Sequence, residues 1–380
     1  MNNIKLCLLL VLITSVVNAQ EKEFQSPGTI HGVPVFYKNL ADRSTYPLSW
    51  TSGKYKNFNA WKIKAKNKVE ECLMGQAPAV DFKPVIIAEE DRGTYVARKI
   101  VFNITGDSRV LGLMLVPKST GNHPAVLLLH DHGAKFDIGK EKVIQPFGET
   151  PEKMASAEKW KSNYGGRFIG DELAKKGYIC FSVDMLNWSD RGGSKYEGQQ
   201  AIAAILFSLG ESFAGTIAHE DVRAAEFLAT YPGVDAKRVS AMGLSVGGYR
   251  TWQLAALSKY ISAGISVCWI TTFKGLLVKG NNAFGGNSSY TMIHPGLPQY
   301  LDYPDVASIA CPKPMMFIAG DHDDLFPVPG IEDAFAKMRK VWDSQKAGDK
   351  LVTKIYNAPH EFNLEMQEDA FKWLDKIMLP

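Results

Sequence analysis

Several classes are closed to this chain by what it has little of. It carries five cysteines in 380 residues, and none falls in a CxxC or Cys/His pattern. Neither a zinc framework nor a dense disulfide scaffold is indicated. The formal net charge is only +3, with no clustered basic face of the kind nucleic acid requires. The one long apolar run, residues 6–17, is too short for a membrane span. No internal repeat or low-complexity tract is visible, and nothing implies a metal or organic cofactor.

What is present is ordinary globular material. At 46% hydrophobic and 22% charged, the chain can bury a large core. Lys5, the apolar run 6–17 and the small-residue site Val17-Asn18-Ala19 read as a signal peptide over 1–19, with Gln20 as the mature N-terminus. Cys7 opens the apolar run and so is misplaced for a lipid anchor. The expected product is a soluble, exported protein. Export permits disulfides among Cys72, Cys180, Cys268 and Cys311, and a Cys268–Cys311 bridge stays open. Cys180 and Cys268 lie in strand-like runs, where a buried free thiol is the plainer reading.

Residues 20–84 read as an N-terminal extension packed on the main domain, through a helix carrying Phe58, Trp61, Ala65, Val69, Cys72 and Leu73. From residue 85 the pattern changes to strands: 85–87, 95–104 and 110–116, the last two joined by a Gly106-Asp107 turn. Asn103-Ile104-Thr105 matches a glycosylation sequon, relevant only in a eukaryotic secretory route. Buried strands follow at 124–129, 177–184, 238–242, 263–270, 314–320 and 351–356. They alternate with helices at 168–176, 199–209, 217–230, 249–257, 328–341 and 365–378. That alternation predicts an α/β fold over 85–380, a doubly wound, mostly parallel sheet with helices on both faces. Long insertions at 134–164 and 271–310 follow strands and should rise over the active face.

The chemistry centres on Gly243-Leu244-Ser245-Val246-Gly247-Gly248, between a strand and a helix. Strand, G-x-S-x-G, helix is the setting of a nucleophile elbow, in which the glycines permit a sharp turn and leave the serine hydroxyl exposed. A serine needs a base. His360, between the last strand and the last helix, completes the chain order Ser…Asp…His, with His322 and His294 as fallbacks. The orienting acid lies in Gly320-Asp321-His322-Asp323-Asp324, where spacing leaves all three aspartates open. Val246 should supply one oxyanion N–H. The second should come from the loop after the 124–129 strand.

Residues 85–380 resemble the α/β-hydrolase superfamily. The motifs His130-Asp131-His132-Gly133-Ala134, Gly139-Lys140-Glu141-Lys142 and Met242–Arg250 are similar to those of secreted bacterial carbohydrate esterases. That branch includes acetyl-xylan-esterase-like and dienelactone-hydrolase-like enzymes and the α/β-hydrolase-type pectin methylesterases. The resemblance to G-x-x-D-x-L-x-P implies Asp323 as the acid. Related H-G-x loops donate from x, which implies His132 as the second oxyanion donor. Asp131 replaces the middle glycine, so Gly133 or Ala134 stays open.

The expected function is a serine esterase acting on plant cell-wall polysaccharide. Methyl esters of galacturonate in pectin are slightly favoured over acetyl esters of xylan. Arg191 and Arg250, with Arg167 also near the active face, are candidates to bind uronate carboxylates, each being otherwise a structural salt bridge. Trp188 and Trp269, with Trp160 and Tyr164, are candidates to stack on sugars. A serine peptidase and a non-catalytic carbohydrate-binding homologue are the alternatives. Oligomeric state is not legible.

Overall fold

The computed structural model describes residues 29–30, 33–34, 36–75, 78–278, 281–282 and 287–379. The expected signal segment, 1–19, lies outside the described residues.

One nine-stranded sheet organises the chain. Its strands are β1 (Val85–Asp91), β2 (Tyr95–Asn103), β3 (Arg109–Pro117), β4 (His123–Leu129) and β5 (Ile179–Val183), then β6 (Val234–Leu244), β7 (Ala263–Val267), β8 (Met315–Gly320) and β9 (Leu351–Tyr356). The spatial order is β9-β8-β7-β6-β4-β5-β3-β2-β1. The first three strands form an antiparallel meander, attached antiparallel to β5. The other contacts, from β5 through β9, are parallel. The Gly106-Asp107 turn closes β2 on β3, with Asn103 opposite Arg109.

Helices cover both faces. They include α1 (Phe58–Leu73), α2 (Pro151–Trp160), α3 (Ile169–Lys175), α4 (Lys195–Ser208), α5 (Phe213–Thr230), α6 (Val246–Leu257), α7 (Tyr303–Ser308), α8 (Val328–Ser344) and α9 (Leu364–Met378). The continuous apolar runs in the strands follow from this double cover. In β4, Ala125, Leu127 and Leu129 enter the core under α5, α6 and α8, while Val126 and Leu128 enter the one under α3 and α9. Each of these leucines and the valine contributes ~1.5–3 kcal/mol by leaving water. Leu127→Ala would cost about 2–5 kcal/mol, because neighbours on a packed sheet collapse only partly into the void.

Helix α1 is capped by Asn57, which accepts from Ala60 N, and it buries Trp61, Ala65, Val69, Cys72 and Leu73. It packs against α5 and α7.

Three departures from sequence expectation have local causes. Strand β7 ends at Val267 rather than Ile270, because Cys268 takes a positive φ of 51° and turns the chain. Both long insertions hold a helix that was not expected: α2, capped by Thr150 with Pro151 in its first turn, and α7, closed by an Asp302/Asp305 capping box. The four cysteines named above are all buried free thiols, so no Cys268–Cys311 bridge forms.

Strand order reverses at β4: the chain goes from it to β5 on one side, then returns to β6 on the other. Ligands of open α/β sheets gather at the carboxyl ends of strands beside such a reversal. Here those ends carry the His130–Ala134 loop and Ser245.

Candidate active site

Ser245 sits between the end of β6 and the start of α6 at φ 57°, ψ −126°. A non-glycine residue there is strained by ~1–3 kcal/mol, which the surrounding packing must hold. The glycines show how. A Cβ on Gly243 would lie 2.5 Å from Leu129 O, and one on Gly247 would lie 1.9 Å from the same carbonyl. A Cβ on Gly248 would meet Val267 O at 2.6 Å. The elbow is thus pressed against the ends of β4 and β7, and Ser245 N donates to Val267 O at 2.9 Å.

His360 lies in the loop between β9 and α9. Its Nδ1 is 2.6 Å from Asp323 Oδ2. Asp323 is buried and also accepts from Leu325 N at 2.9 Å. With Nδ1–H donating to the carboxylate, Nε2 carries the lone pair. That atom is buried with no hydrogen-bond partner among the described residues. His360 and Ser245 line one cleft of about 290 Å³, together with Asp131, His132, Gly133, Ala134, Trp160, Asn163, Tyr196, Leu244 and Leu325.

The other candidates for base and acid are engaged elsewhere. Asp321 accepts from Ala358 N and pairs with the exposed His322 at 2.7 Å. Asp324 is exposed. His294 is buried against Tyr249 and Gln253.

For the oxyanion donors, Val246 opens α6, so its N–H has no intrahelical acceptor. On the facing loop, Ala134 N donates to His132 Nδ1 at 3.0 Å and is spent. That leaves the N–H groups of His132 and Gly133. Burial holds the His132 imidazole down at about 4, and Nε2 donates to Gln199 Oε1 at 3.0 Å. His130 is buried too and pushed well below its ordinary value, with Arg250 nearby adding to the effect. Both rings are therefore neutral structural parts at neutral pH.

The expected substrate contacts need correction. Arg191 is partly buried and held in a two-pronged pair with the buried Glu220, at 2.5 and 2.7 Å. Arg250 is clamped on Asp221 at 2.9 and 2.6 Å and is 1% exposed. Arg167 binds Gln367 and Glu368. Each fork is filled by an acid or amide of the chain itself, and none lines the cleft. Trp188 is buried with its Nε1 on His132 O, and Trp269 is buried among Tyr249, Trp252 and Phe326. Tyr164 is also buried, donating to Asp131 Oδ1 at 2.6 Å. None of these three offers a face to a sugar.

Of the expected substrate contacts, all among the described residues, Trp160 alone reaches the cleft. Tyr196, which drew no attention in the sequence, joins it, partly exposed and stacked on His132 at 5.6 Å. An aromatic residue just after Gly192-Gly193 was the available signal.

Among the described residues, two groups of side chains have metal-like proximity: Cys268, Asp323 and His360, and Glu141, Asp184 and Asp190. In the first, His360 is bound to Asp323, and burial beside that carboxylate pushes the Cys268 thiol up, so it keeps its proton. In the second, Lys140 and Lys153 already neutralise the acids.

The model of the dienelactone hydrolase family matches residues 164–372, more than half of the chain. YtaP of Bacillus subtilis (strain 168), a protein provisionally named a hydrolase, is 24% identical over 310 residues, covering 80% of this chain and 96% of that protein. Among solved structures, a Bacteroides fragilis NCTC 9343 protein provisionally designated an acetyl xylan esterase superposes with a TM-score of 0.73 at 17% identity, covering 90% of this chain and 94% of that one. The methylesterase BT1017 superposes with a TM-score of 0.61 at 16% identity, covering 89% of this chain and 68% of that one.

Proposed function

The chain belongs to the dienelactone hydrolase family, within the α/β-hydrolase superfamily, and from that premise we propose that it is a serine esterase removing acetyl groups from a polysaccharide. The observation that carries the chemistry is the His360–Asp323 pair sharing a cleft with Ser245 on its strained elbow. In that reading Ser245 Oγ attacks the ester carbonyl while His360 Nε2 takes its proton. Asp323 stabilises the imidazolium without itself accepting the proton. The tetrahedral oxyanion is held by Val246 N–H and by the N–H of His132 or Gly133. His360 then protonates the departing sugar oxygen, leaving an acetyl-Ser245 ester. Water, deprotonated by the same nitrogen, releases acetate and restores the serine.

The acyl preference rests on the cleft lining. It holds no lysine or arginine among the described residues, and Asp131, which lines it, has its carboxylate bound by Tyr164, Trp160 and Lys142. A run of uronates would meet no positive charge there. The arginines that favoured a pectin methyl ester are turned inward. Trp160 and Tyr196 suit the neutral faces of sugar rings.

The test is to incubate wild-type protein and Ser245→Ala with acetylated xylan and with methyl-esterified pectin, measuring acetate and methanol. Acetate release that disappears in Ser245→Ala supports the proposal. Methanol alone would shift the substrate to uronate methyl esters, and neither product would end the esterase reading.

A further inference from the structure

The loop after β4 must present an N–H to the oxyanion, yet its own sequence does not hold it there. Gly133 and Ala134 take φ of 55° and 53°, one after the other. A glycine-containing turn in that region has other conformations open to it. Something must fix its peptide planes.

Lys142 is placed to do so. It is 0% exposed, on the short turn that follows the loop. Its Nζ donates to Asp131 O at 2.9 Å, to His132 O at 2.9 Å, and lies 3.2 Å from Asp131 Oδ2. Two consecutive carbonyls of the oxyanion loop thus converge on one buried ammonium. In a trans peptide the C=O of one residue and the N–H of the next point in opposite directions. Drawing the Asp131 carbonyl inward therefore turns His132 N–H outward. Drawing the His132 carbonyl inward does the same to Gly133 N–H. His132 and Gly133 line the cleft that Ser245 and His360 share, and Lys142 does not.

The neighbours reinforce the arrangement. The His130 ring Nδ1–H also donates to Asp131 O, at 2.9 Å, and Trp188 Nε1 donates to His132 O at 3.3 Å. A Cβ on Gly133 would strike the Trp160 ring at 2.2 Å, the same ring over which the Lys142 ammonium sits at 5.0 Å. A positive charge bound to both carbonyls also polarises the two peptides, making their N–H groups stronger donors.

We propose that Lys142 is a positioning residue for the esterase reaction, aiming and polarising the second oxyanion donor from behind by holding the carbonyls of Asp131 and His132. The inference rests on the esterase reading above. Lys142 touches no reacting atom, so its removal should appear in the transition state rather than in substrate binding.

The experiment compares wild type, Ser245→Ala, Lys142→Met and the double variant Asp131→Asn/Lys142→Met, which avoids stranding a buried carboxylate. Folding is checked by near-ultraviolet circular dichroism. The readouts are kcat and KM on p-nitrophenyl acetate, and affinity for a methylboronic acid that forms a tetrahedral adduct on the serine. The expected result is a kcat lowered by about 10²-fold with KM nearly constant, and boronate affinity lowered in parallel, the size of losing one oxyanion donor. If Lys142→Met does not fold, the double variant gives the answer. A folded variant that keeps wild-type kcat and boronate affinity overturns the proposal while leaving the esterase reading intact. A wild type with no Ser245-dependent turnover overturns the esterase reading, and the proposal with it.

Discussion

Asp323 reaches His360 Nδ1 at 2.6 Å, whereas its near neighbours Asp321 and Asp324 do not. Three aspartates within four positions have distinct fates because the loop after β8 turns only one of them inward. Asp323→Asn should lower kcat by ~10²–10⁴-fold, since the amide cannot stabilise the imidazolium and disturbs its tautomer. Asp324→Asn should stay within about twofold of wild type, as expected for an exposed residue outside the pair. Steady-state kinetics on p-nitrophenyl acetate separate the two. Equal effects would remove Asp323 from its role.

Gly247→Ala tests the elbow. Its Cβ would lie 1.9 Å from Leu129 O, a backbone atom in the middle of the sheet that cannot move aside cheaply. A loss of about 3 kcal/mol or more is expected, beyond ordinary overpacking. Thermal melting together with fluorophosphonate labelling of Ser245 would show both loss of stability and loss of the exposed nucleophile. A variant with wild-type melting and labelling would contradict the close-packed elbow.

Arg191→Met distinguishes an interior brace from a substrate contact. It leaves the Glu220 carboxylate buried without its partner, which should cost about 3–5 kcal/mol. Denaturant titration checks the loss. The surviving folded protein should show the wild-type KM for pectin-derived and xylan-derived esters alike. A KM change confined to uronate esters would return Arg191 to substrate binding.

His132 makes stability depend on pH. The folded chain holds its ring down at about 4, against an ordinary value of 6.5. The unfolded chain therefore takes up a proton that the folded one refuses. The neutral ring's contribution is complete above 6.5, is lost as pH falls toward 4, and is constant below that. The loss should reach about 2 kcal/mol by about pH 5. His130 adds in the same sense, while Asp184, held up at about 6 by burial, works in the opposite one. Comparing wild type with His132→Gln by urea unfolding at about pH 7 and about pH 5 isolates the one residue. An unchanged difference between the two proteins would show that His132 titrates normally.

The fold and the candidate grouping of Ser245, Asp323 and His360 were legible because both leave local marks. Buried parallel strands are apolar on both faces, as in Val126-Leu127-Leu128, and a nucleophile elbow needs glycine at fixed offsets for steric reasons. The helices inside the insertions were also marked, by Thr150-Pro151 and by Asp302-Tyr303-Pro304, although the surrounding polar residues masked those start signals. The substrate contacts were not legible. Arg191 and Arg250 resemble carboxylate binders in sequence, but Glu220 and Asp221, adjacent on α5, fill both forks. Nothing local couples those positions, since folding alone brings them together. The same holds for Lys142, whose role depends on which carbonyls meet its ammonium.

Ser245 is proposed to perform acyl transfer from an acetylated polysaccharide. The most direct test is the acetate released from acetylated xylan by purified wild-type protein beside Ser245→Ala. Steady, multiple-turnover acetate release by wild type is expected, with a loss of ~10⁴-fold or more in the variant, whose folding is unchanged. Equal acetate release by the two proteins, or none from wild type, would contradict it.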